Sequence, residues 1–372
     1  MKDGFVKVAA ATPKIKVADT QYNAQAVIDC VKEACGNGAK IVVLPELCIT
    51  GYSCGDLFLQ DKLLQSAREQ LGVIADRTAD CDVLIFVGMP LEKEHKLYNV
   101  AAVVQHGQVL AFVPKTYLPN YAEFYEARHF ASGEGQDGYC RYQGEDIPFG
   151  TDILFDCDTV EGLVVGCEIC EDVWTPAPPN TRHALAGATV MVNLSASNDL
   201  VGKDTYREEL VKLTSARLIA GYIYASAGDG ESTQDVVYGG HDIIAENGSV
   251  LAQSTPFTTG IIYADLDIAK LRMERRKMTT YLPHEEILHD VIPFSLKVEE
   301  TKLTRQFDRA PFVPSDKATR EKRCEQILSI QANGLKKRYE HTGSKTAVIG
   351  ISGGLDSTLA LLVTVRAFDM RG

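Results

Sequence analysis

The sequence lacks any apolar run approaching the ~20 residues that a membrane helix requires, and no signal-type apolar region follows its first four residues. It also lacks a broad basic surface, because 38 Lys and Arg stand against 50 Asp and Glu, a formal net charge of −12. Only residues 270–277 are locally basic. Neutralising phosphates needs clustered Lys and Arg, so general nucleic-acid binding is disfavoured. We therefore expect a cytoplasmic protein with neither a membrane nor a nucleic acid as partner.

Cysteine is too sparse for a disulfide scaffold, with ten in 372 residues. Cys167 and Cys170 have the C-x-x-C spacing that occurs in redox centres and in half of a zinc site. No second such pair and no nearby paired histidine completes a metal centre. The sequence therefore predicts no metal site, and packing is the expected role of most cysteines.

What the sequence does contain is an alternation of strand-length apolar runs with amphipathic stretches over its first ~265 residues, which is typical of a layered α/β domain. Residues 269–318 then crowd charges and prolines together without strand-like runs, which indicates a linker. A helical stretch follows, then an apolar run at 346–351 that predicts a buried strand, and then another helix. We predict one complete domain over 1–268, a linker over 269–318 and the first part of a second domain over 319–372.

Each of three apolar runs in the first domain is followed by a residue whose side chain could take part in catalysis. Glu46 follows one run, Lys115 follows a second, and Cys170 follows a third. A free cysteine is mostly thiol at neutral pH, so a nucleophilic one needs a base or a cation nearby. A lone Glu or Lys at a strand end is most often a solvated charge, and the residue types alone leave that alternative open.

In this order the three residues resemble the Glu-Lys-Cys triad of the nitrilase superfamily of carbon–nitrogen hydrolases. The resemblance implies a four-layer α-β-β-α sandwich, with Glu46 as general base, Cys170 as nucleophile and Lys115 stabilising the oxyanion. Glu123 matches a second carboxylate that assists positioning in many members. The choice of Cys170 over Cys167 rests on the resemblance, because the nucleophile precedes Glu-Asp-x-Trp in these relatives.

A narrower resemblance comes from the sequence around these residues, in segments 45–47, 50–58, 118–121, 123–126 and 169–174. These segments are similar to the glutaminase domain of the glutamine-dependent NAD synthetase family. The resemblance implies that glutamine is held by Tyr121, Ser197, Lys203, Tyr52 and Glu171. Arg207 is an alternative to Lys203, since relatives carry a basic residue there, sometimes arginine.

The turn after the apolar run at 346–351 has the sequence Ser-Gly-Gly-Leu-Asp-Ser. It lacks the lysine of the G-x-x-x-x-G-K-[ST] phosphate-binding loop. It resembles instead the PP-loop of the ATP pyrophosphatases, at the start of a parallel-sheet domain. The resemblance implies that ATP is contacted by Gly350, Ile351, Ser352, Gly353, Gly354, Leu355, Asp356 and Ser357.

Together these features predict a ligase of the NAD synthetase family that uses glutamine as amide donor. Glutamine, deamido-NAD and ATP are the implied substrates, with Mg needed for the full-length synthetase and no cofactor for the glutaminase step. The resemblance also implies a homo-oligomer. A stand-alone amidase or carbamoylase, a catalytically silent scaffold and a different ammonia acceptor are the alternatives. Because only 27 residues run from Thr346 to Gly372, we expect this chain to retain only glutaminase chemistry.

Overall fold

The computed structural model describes residues 1–282, 288–307 and 309–370. Within them the chain divides into a first unit, Met1–Arg305, and a second unit, Gln306–Gly372. Part of the predicted linker, residues 283–287 and 308, and the last two residues of the predicted second domain lie outside the described residues.

The first unit contains all of the strands in the described residues. In chain order they are β1 (Phe5–Thr12), β2 (Ile41–Val43), β3 (Leu84–Lys93), β4 (Lys96–Gln105), β5 (Gln108–Pro114), β6 (Tyr139–Tyr142), β7 (Glu145–Pro148), β8 (Ile153–Cys157), β9 (Val164–Ile169), β10 (Val190–Ser195), β11 (Gly221–Ser226), β12 (Ile243–Glu246), β13 (Ser249–Gln253), β14 (Gly260–Asp267) and β15 (Asp290–Phe294). The helices are α1 (Thr20–Gly36), α2 (Asp61–Arg77), α3 (Pro179–Leu185), α4 (Lys203–Leu218) and α5 (Ile268–Lys277), followed in the second unit by α6 (Lys317–Thr342) and α7 (Leu355–Asp369).

Two sheets pack face to face in the first unit. One has the strand order β14-β1-β2-β3-β4-β5 and the other β13-β12-β11-β10-β9-β8-β15. Strands β1, β2 and β3 run parallel, as do β9, β10 and β11. Alternate residues of each strand point to opposite faces, so both faces of these central strands carry apolar side chains.

Three apolar clusters define the layers. The first fills the space between the sheets, with Phe86 packed edge-on against Phe155. The second joins the outer face of the first sheet to α1 and α2, and the third joins the outer face of the second sheet to α3 and α4. This is the α-β-β-α sandwich expected from the sequence.

His106 and Gly107 form a hairpin turn between β4 and β5, since both residues have positive φ, as a two-residue type I′ turn requires. Asn247 and Gly248 also have positive φ. Their turn joins β12 to β13, a short strand of mostly half-exposed residues.

Two expectations about the later part of the chain are wrong. The segment expected to lack strands contains β15, which pairs in parallel with β8 at the edge of the second sheet. The apolar run at 346–351 forms no strand, and its residues are mostly exposed, Val348 to 98%. A strand needs hydrogen-bonding neighbours as well as apolar side chains, and the described residues of the second unit provide none for it.

No helix in the described residues is both long enough and apolar enough to cross a membrane.

Candidate active site

Cys170 lies at a sharp turn where β9 ends and a short 3₁₀ segment begins. Its φ of +43° is in the left-handed region, which is uncommon for a residue with a side chain. The side chain of Asn193, on neighbouring strand β10, accepts a hydrogen bond from the Cys170 backbone N–H at 3.1 Å. The structure therefore holds the backbone of this cysteine in a strained conformation, as is common at functional sites.

Lys115 lies directly after β5, fully buried between two carboxylates. Its Nζ donates to Glu46 Oε1 at 2.6 Å and to Glu126 Oε1 at 2.7 Å. Glu46 follows β2, so the ends of strands from one sheet bring the cation and its base together. Burial of a lone ammonium would be costly, but two adjacent carboxylates compensate the charge.

Only one oxygen of each carboxylate is engaged. Asn99 Nδ2 also donates to Glu46 Oε1, at 2.6 Å, whereas Glu46 Oε2 is buried and has no hydrogen-bond partner among the described residues. The same is true of Glu126 Oε2 within that part of the chain. An unpartnered buried carboxylate oxygen is able to take up a proton, which suits Glu46 to the role of general base.

The pKa values of the group follow from burial and mutual charge. Burial raises the pKa of the Cys170 thiol, the charge of Glu46 raises it further, and Lys115 opposes both. Burial lowers the pKa of Lys115, but attraction to Glu126 and Glu46 outweighs it and holds the pKa well above its usual range. Burial likewise raises the pKa of Glu126 to about 7 against the attraction of Lys115. The resting site thus holds a protonated thiol beside a permanent cation.

Asp172 connects the turn of Cys170 to the segment after Lys115. Its carboxylate accepts from the backbone N–H of Ile169 at 2.9 Å and from that of Tyr117 at 2.8 Å. Burial raises its pKa to about 8. Because the two segments belong to different sheets, this carboxylate fixes the separation of the nucleophile and the cation.

A cavity of about 440 Å³ opens above Cys170. Of the predicted glutamine contacts, Tyr121, Glu171, Ser197 and Lys203 line it. The Tyr121 hydroxyl donates to Glu171 Oε1 at 2.7 Å, on the exposed side of the cavity. The structure therefore brings together residues that are up to 82 positions apart in the sequence.

The two basic candidates have different surroundings. Lys203 lines the cavity, and its Nζ donates to Asn198 Oδ1, while burial lowers its pKa. Arg207 is fully buried and donates to Asp199 Oδ1 at 3.0 Å and to Ser197 Oγ at 3.3 Å. Lys203 is thus placed to meet a ligand, whereas Arg207 is placed to hold the Ser197 loop.

Glu123 differs from expectation. The carboxylate that touches Lys115 is Glu126, and Glu123 Oε1 instead accepts from Asn198 Nδ2 at 2.5 Å. Glu126 thus has the contact with Lys115 that suits an assisting carboxylate, whereas Glu123, the residue expected in that role, contacts Asn198. Both lie in one short segment after β5, and spacing alone did not distinguish two acids three positions apart.

Tyr52 contacts Glu126, the second carboxylate beside Lys115. Its hydroxyl donates to Glu126 Oε1 at 2.7 Å, and its ring lines a second cavity of about 430 Å³. Both cavities are lined in part by Glu123, Phe124 and Glu126. Tyr52 therefore contacts the second carboxylate and does not line the cavity above Cys170.

Cys167 is buried in the core between the two sheets, and burial raises the pKa of its thiol well above the usual range. It does not line the cavity that contains Cys170. Every cysteine in the described residues is free. Cys170 is thus the member of the pair that a ligand in the cavity can reach.

The glycine-rich turn of the second unit is exposed. Gly353 has a φ of +82°, and the turn leads directly into α7, whose N-cap is Gly354. The hydroxyls of Ser352 and Ser357 lie 3.4 Å apart. Backbone N–H groups and hydroxyls at a helix N-terminus suit an anion such as a phosphate.

Two families match this chain. Residues 7–276 match the carbon–nitrogen hydrolase family, and residues 327–371 match the NAD synthase family.

Among curated proteins, the chain is 42% identical to the glutamine-dependent NAD(+) synthetase of Mycobacterium bovis over 99% of its own length and 56% of the relative. It is 40% identical to the enzyme of that name from Mycobacterium leprae, with the same coverage. The chain thus spans little more than half the length of these relatives.

Among solved structures, a glutamine-dependent NAD(+) synthetase from Cytophaga hutchinsonii is 32% identical, with a TM-score of 0.63 over 70% of this chain and 43% of that one. The corresponding enzyme from Acinetobacter baumannii, in complex with ADP, is 23% identical with a TM-score of 0.58 over 98% and 57%. A nitrilase-superfamily amidase from Nesterenkonia AN1, 21% identical with a TM-score of 0.56 over 73% and 94%, shares the fold.

Proposed function

Because this chain belongs to the carbon–nitrogen hydrolase family, we propose that its first unit hydrolyses glutamine to glutamate and ammonia at Cys170. The observation that carries the proposal is the buried Lys115 held at 2.6 Å by Glu46, at the strand ends beside the cavity of Cys170. The similarity to glutamine-dependent NAD(+) synthetases supports glutamine as the substrate.

In the first half-reaction, Glu46 takes the proton of the Cys170 thiol as the sulfur attacks the amide carbon of glutamine. The carbonyl oxygen becomes an oxyanion, and the Lys115 cation stabilises it. When the C–N bond breaks, the leaving nitrogen receives the proton from Glu46, and ammonia departs. A thioester between Cys170 and the glutamyl group remains.

In the second half-reaction, Glu46 takes a proton from water, and the resulting hydroxide attacks the thioester carbonyl. The C–S bond breaks, glutamate leaves, and the proton on Glu46 returns to the sulfur. Glu126 and Asn99 keep their places throughout, because each hydrogen-bonds a member of the triad.

The cavity supports this substrate through its charges. Lys203 offers an ammonium to the α-carboxylate of glutamine, and Glu171 with the Tyr121 hydroxyl offers acceptors to the α-ammonium. Ser197 adds a hydroxyl on the same wall. A neutral amide lacking both α-groups would leave these side chains unmatched.

We also propose that ammonia serves the ATP-dependent amidation of deamido-NAD in an enzyme that joins this glutaminase to a complete synthetase. The match of residues 327–371 to the NAD synthase family supports it. The turn from Gly350 to Ser357 would contact the phosphates of ATP, with Mg as their counterion, and the glutaminase step needs no cofactor. The domain boundaries at 268 and 318, a homo-oligomer and a cytoplasmic location are proposals on the same basis.

The test is ammonia release from glutamine, asparagine and an N-carbamoyl amino acid, with the Cys170→Ala variant beside the unchanged chain. We expect glutamine to be preferred and Cys170→Ala to be inactive. Preference for the carbamoyl compound would indicate a stand-alone carbamoylase instead. Equal activity of the two chains would overturn the assignment of Cys170.

A glutamine-analogue electrophile provides a second readout. Peptide mass spectrometry should find the adduct on Cys170 and not on Cys167. No adduct on either residue, together with no ammonia release, would favour the silent scaffold.

A further inference from the structure

Two histidines and an aspartate meet at one end of the second sheet, outside the cavity of Cys170. Asp152 immediately precedes β8, His289 immediately precedes the parallel neighbour β15, and His183 lies on α3. His183 Nδ1 and His289 Nε2 are 3.0 Å apart, and His289 Nε2 is 3.8 Å from Asp152 Oδ1. All three candidate ligand atoms lie within 4.8 Å of one another.

Two of these separations are close to the spacing of ligands around a small tetrahedral cation. Zinc–nitrogen and zinc–oxygen bonds of about 2.0–2.2 Å place two ligand atoms of a tetrahedron about 3.3–3.6 Å apart. The observed 3.0 Å and 3.8 Å bracket that edge. Two imidazoles and one carboxylate also form a donor set that Zn²⁺ and similar transition metals accept, whereas Mg²⁺ and Ca²⁺ prefer oxygen alone.

The surrounding contacts hold the ligands as metal sites require. His183 Nε2 lies 3.2 Å from the carbonyl oxygen of Cys167, which can only accept, so the proton is on Nε2 and the Nδ1 lone pair faces His289. Asp152 uses its other oxygen, Oδ2, for an ion pair with Arg182. The side chain of His183 is fully buried, and that of His289 is 2% exposed.

We propose that Asp152, His183 and His289 bind one divalent transition-metal ion of the Zn²⁺ type, with a fourth position open to water. The ion is structural, because it joins β8, the edge strand β15 and α3. It lies on the opposite side of β9 from the core, where His183 packs against Gly166. The site is independent of the proposed glutaminase chemistry.

The competing explanation is a hydrogen bond from His289 Nε2–H to His183 Nδ1 without any metal. Metal stoichiometry separates the two. The chain is stripped with a chelator, dialysed against Zn²⁺, and its metal content is measured by mass spectrometry. Co²⁺ is then substituted, since its visible absorption reports a tetrahedral nitrogen and oxygen environment.

We expect about one equivalent of Zn²⁺ per chain, a tetrahedral Co²⁺ spectrum, and a lower thermal midpoint after chelation. His289→Ala should weaken Zn²⁺ binding by at least about tenfold, and Asp152→Asn should weaken it as well. Asp152→Asn keeps an oxygen for Arg182, so it serves if His289→Ala does not fold. His341→Ala, at an exposed position of α6, is the matched control and should bind normally.

Cys170→Ala should also retain the metal, which excludes the thiol as the binding group. No bound Zn²⁺ in the unchanged chain would overturn the proposal. If the His289→Ala and Asp152→Asn variants each bound as much Zn²⁺ as the unchanged chain, that result would overturn it too.

Discussion

The two units place charged residues in opposite environments. In the first unit, Lys115 is fully buried between Glu46 and Glu126 at the ends of paired strands. In the second unit, Arg366 pairs with Glu325 between two helices, where the Glu325 side chain is 61% exposed and that of Arg366 is 35% exposed. The difference shows that a charged side chain becomes suited to catalysis when it is buried between sheets. Desolvation strengthens its electrostatic interactions and shifts pKa values.

Replacing the cation in each unit should show this contrast most strongly. Lys115→Met leaves two buried carboxylates without their partner, which should cost about 3–5 kcal/mol of unfolding free energy and abolish glutaminase activity. Arg366→Met should leave both activity and unfolding unchanged, because an exposed pair contributes little. Urea titration followed by the fluorescence of Trp174, the single tryptophan, measures the first unit. Similar unfolding curves for the two variants would contradict the comparison.

The next largest effect on activity is expected from the two glutamates after β5, Glu123 and Glu126. Glu126→Gln keeps an acceptor for Lys115 and Tyr52 but removes the charge, so kcat for glutamine should fall about 100-fold with the fold intact. Glu123→Gln changes a contact with Asn198 and should alter KM more than kcat. Steady-state kinetics of both variants distinguishes them. A larger fall in kcat for Glu123→Gln would restore the assignment made from the sequence.

Gly88 in the first unit and Gly353 in the second test whether the backbone at each position leaves room for a side chain. A Cβ on Gly88 would meet Leu47 N at 2.3 Å and Pro45 O at 2.5 Å, so Gly88→Ala should displace Glu46. We expect a loss of about 1–3 kcal/mol and of most glutaminase activity.

A Cβ added at Gly353 would meet no atom within 4 Å among the described residues, its two chain neighbours aside, although its φ is +82°. Gly353→Ala should therefore cost about 1 kcal/mol locally and leave glutaminase activity unchanged. Thermal unfolding and ammonia release measure both variants. An active Gly88→Ala enzyme would show that the Glu46 segment tolerates movement.

The pH dependence of stability should have opposite signs in the two units. Burial raises the pKa of Asp172 to about 8 and that of Asp242 to about 7, so the folded first unit binds more protons than the unfolded chain above pH ~4. Their contribution is fully present below that pH, falls by about 1.4 kcal/mol per pH unit per group as pH rises above ~4, and is fully lost once pH has passed the folded pKa values of about 7 and 8.

In the second unit, hydrogen bonds to Thr319 and Arg366 lower the pKa values of Asp316 and Glu325. Their contribution is present at neutral pH and is lost on acidification below their ordinary pKa values. Hydrogen exchange of α6 and unfolding followed at Trp174, each at several pH values, measure the two trends. Asp242→Asn should flatten the first trend, and an unchanged slope would show that Asp242 is not its source.

Much of the first unit could be predicted because its local patterns agree with the structure. Alternating or continuous apolar runs became strands, and the positive-φ turn at His106-Gly107 became a hairpin. Glu46, Lys115 and Cys170 each follow such a run, and the resemblance to the nitrilase superfamily singled them out. The same reasoning failed at 346–351, where an apolar run has no strand to pair with among the described residues of the second unit.

The sequence by itself determined the kind of element each segment forms and the residue types at strand ends, because propensity, turn chemistry and periodicity act over a few neighbouring residues. Only the tertiary structure decided which side chains meet. It selected Glu126 over Glu123, connected Asp172 to Tyr117 across two sheets, and joined Asp152 to His289, 137 positions away. Such contacts depend on strand register and sheet packing, which long-range burial sets and no local pattern encodes.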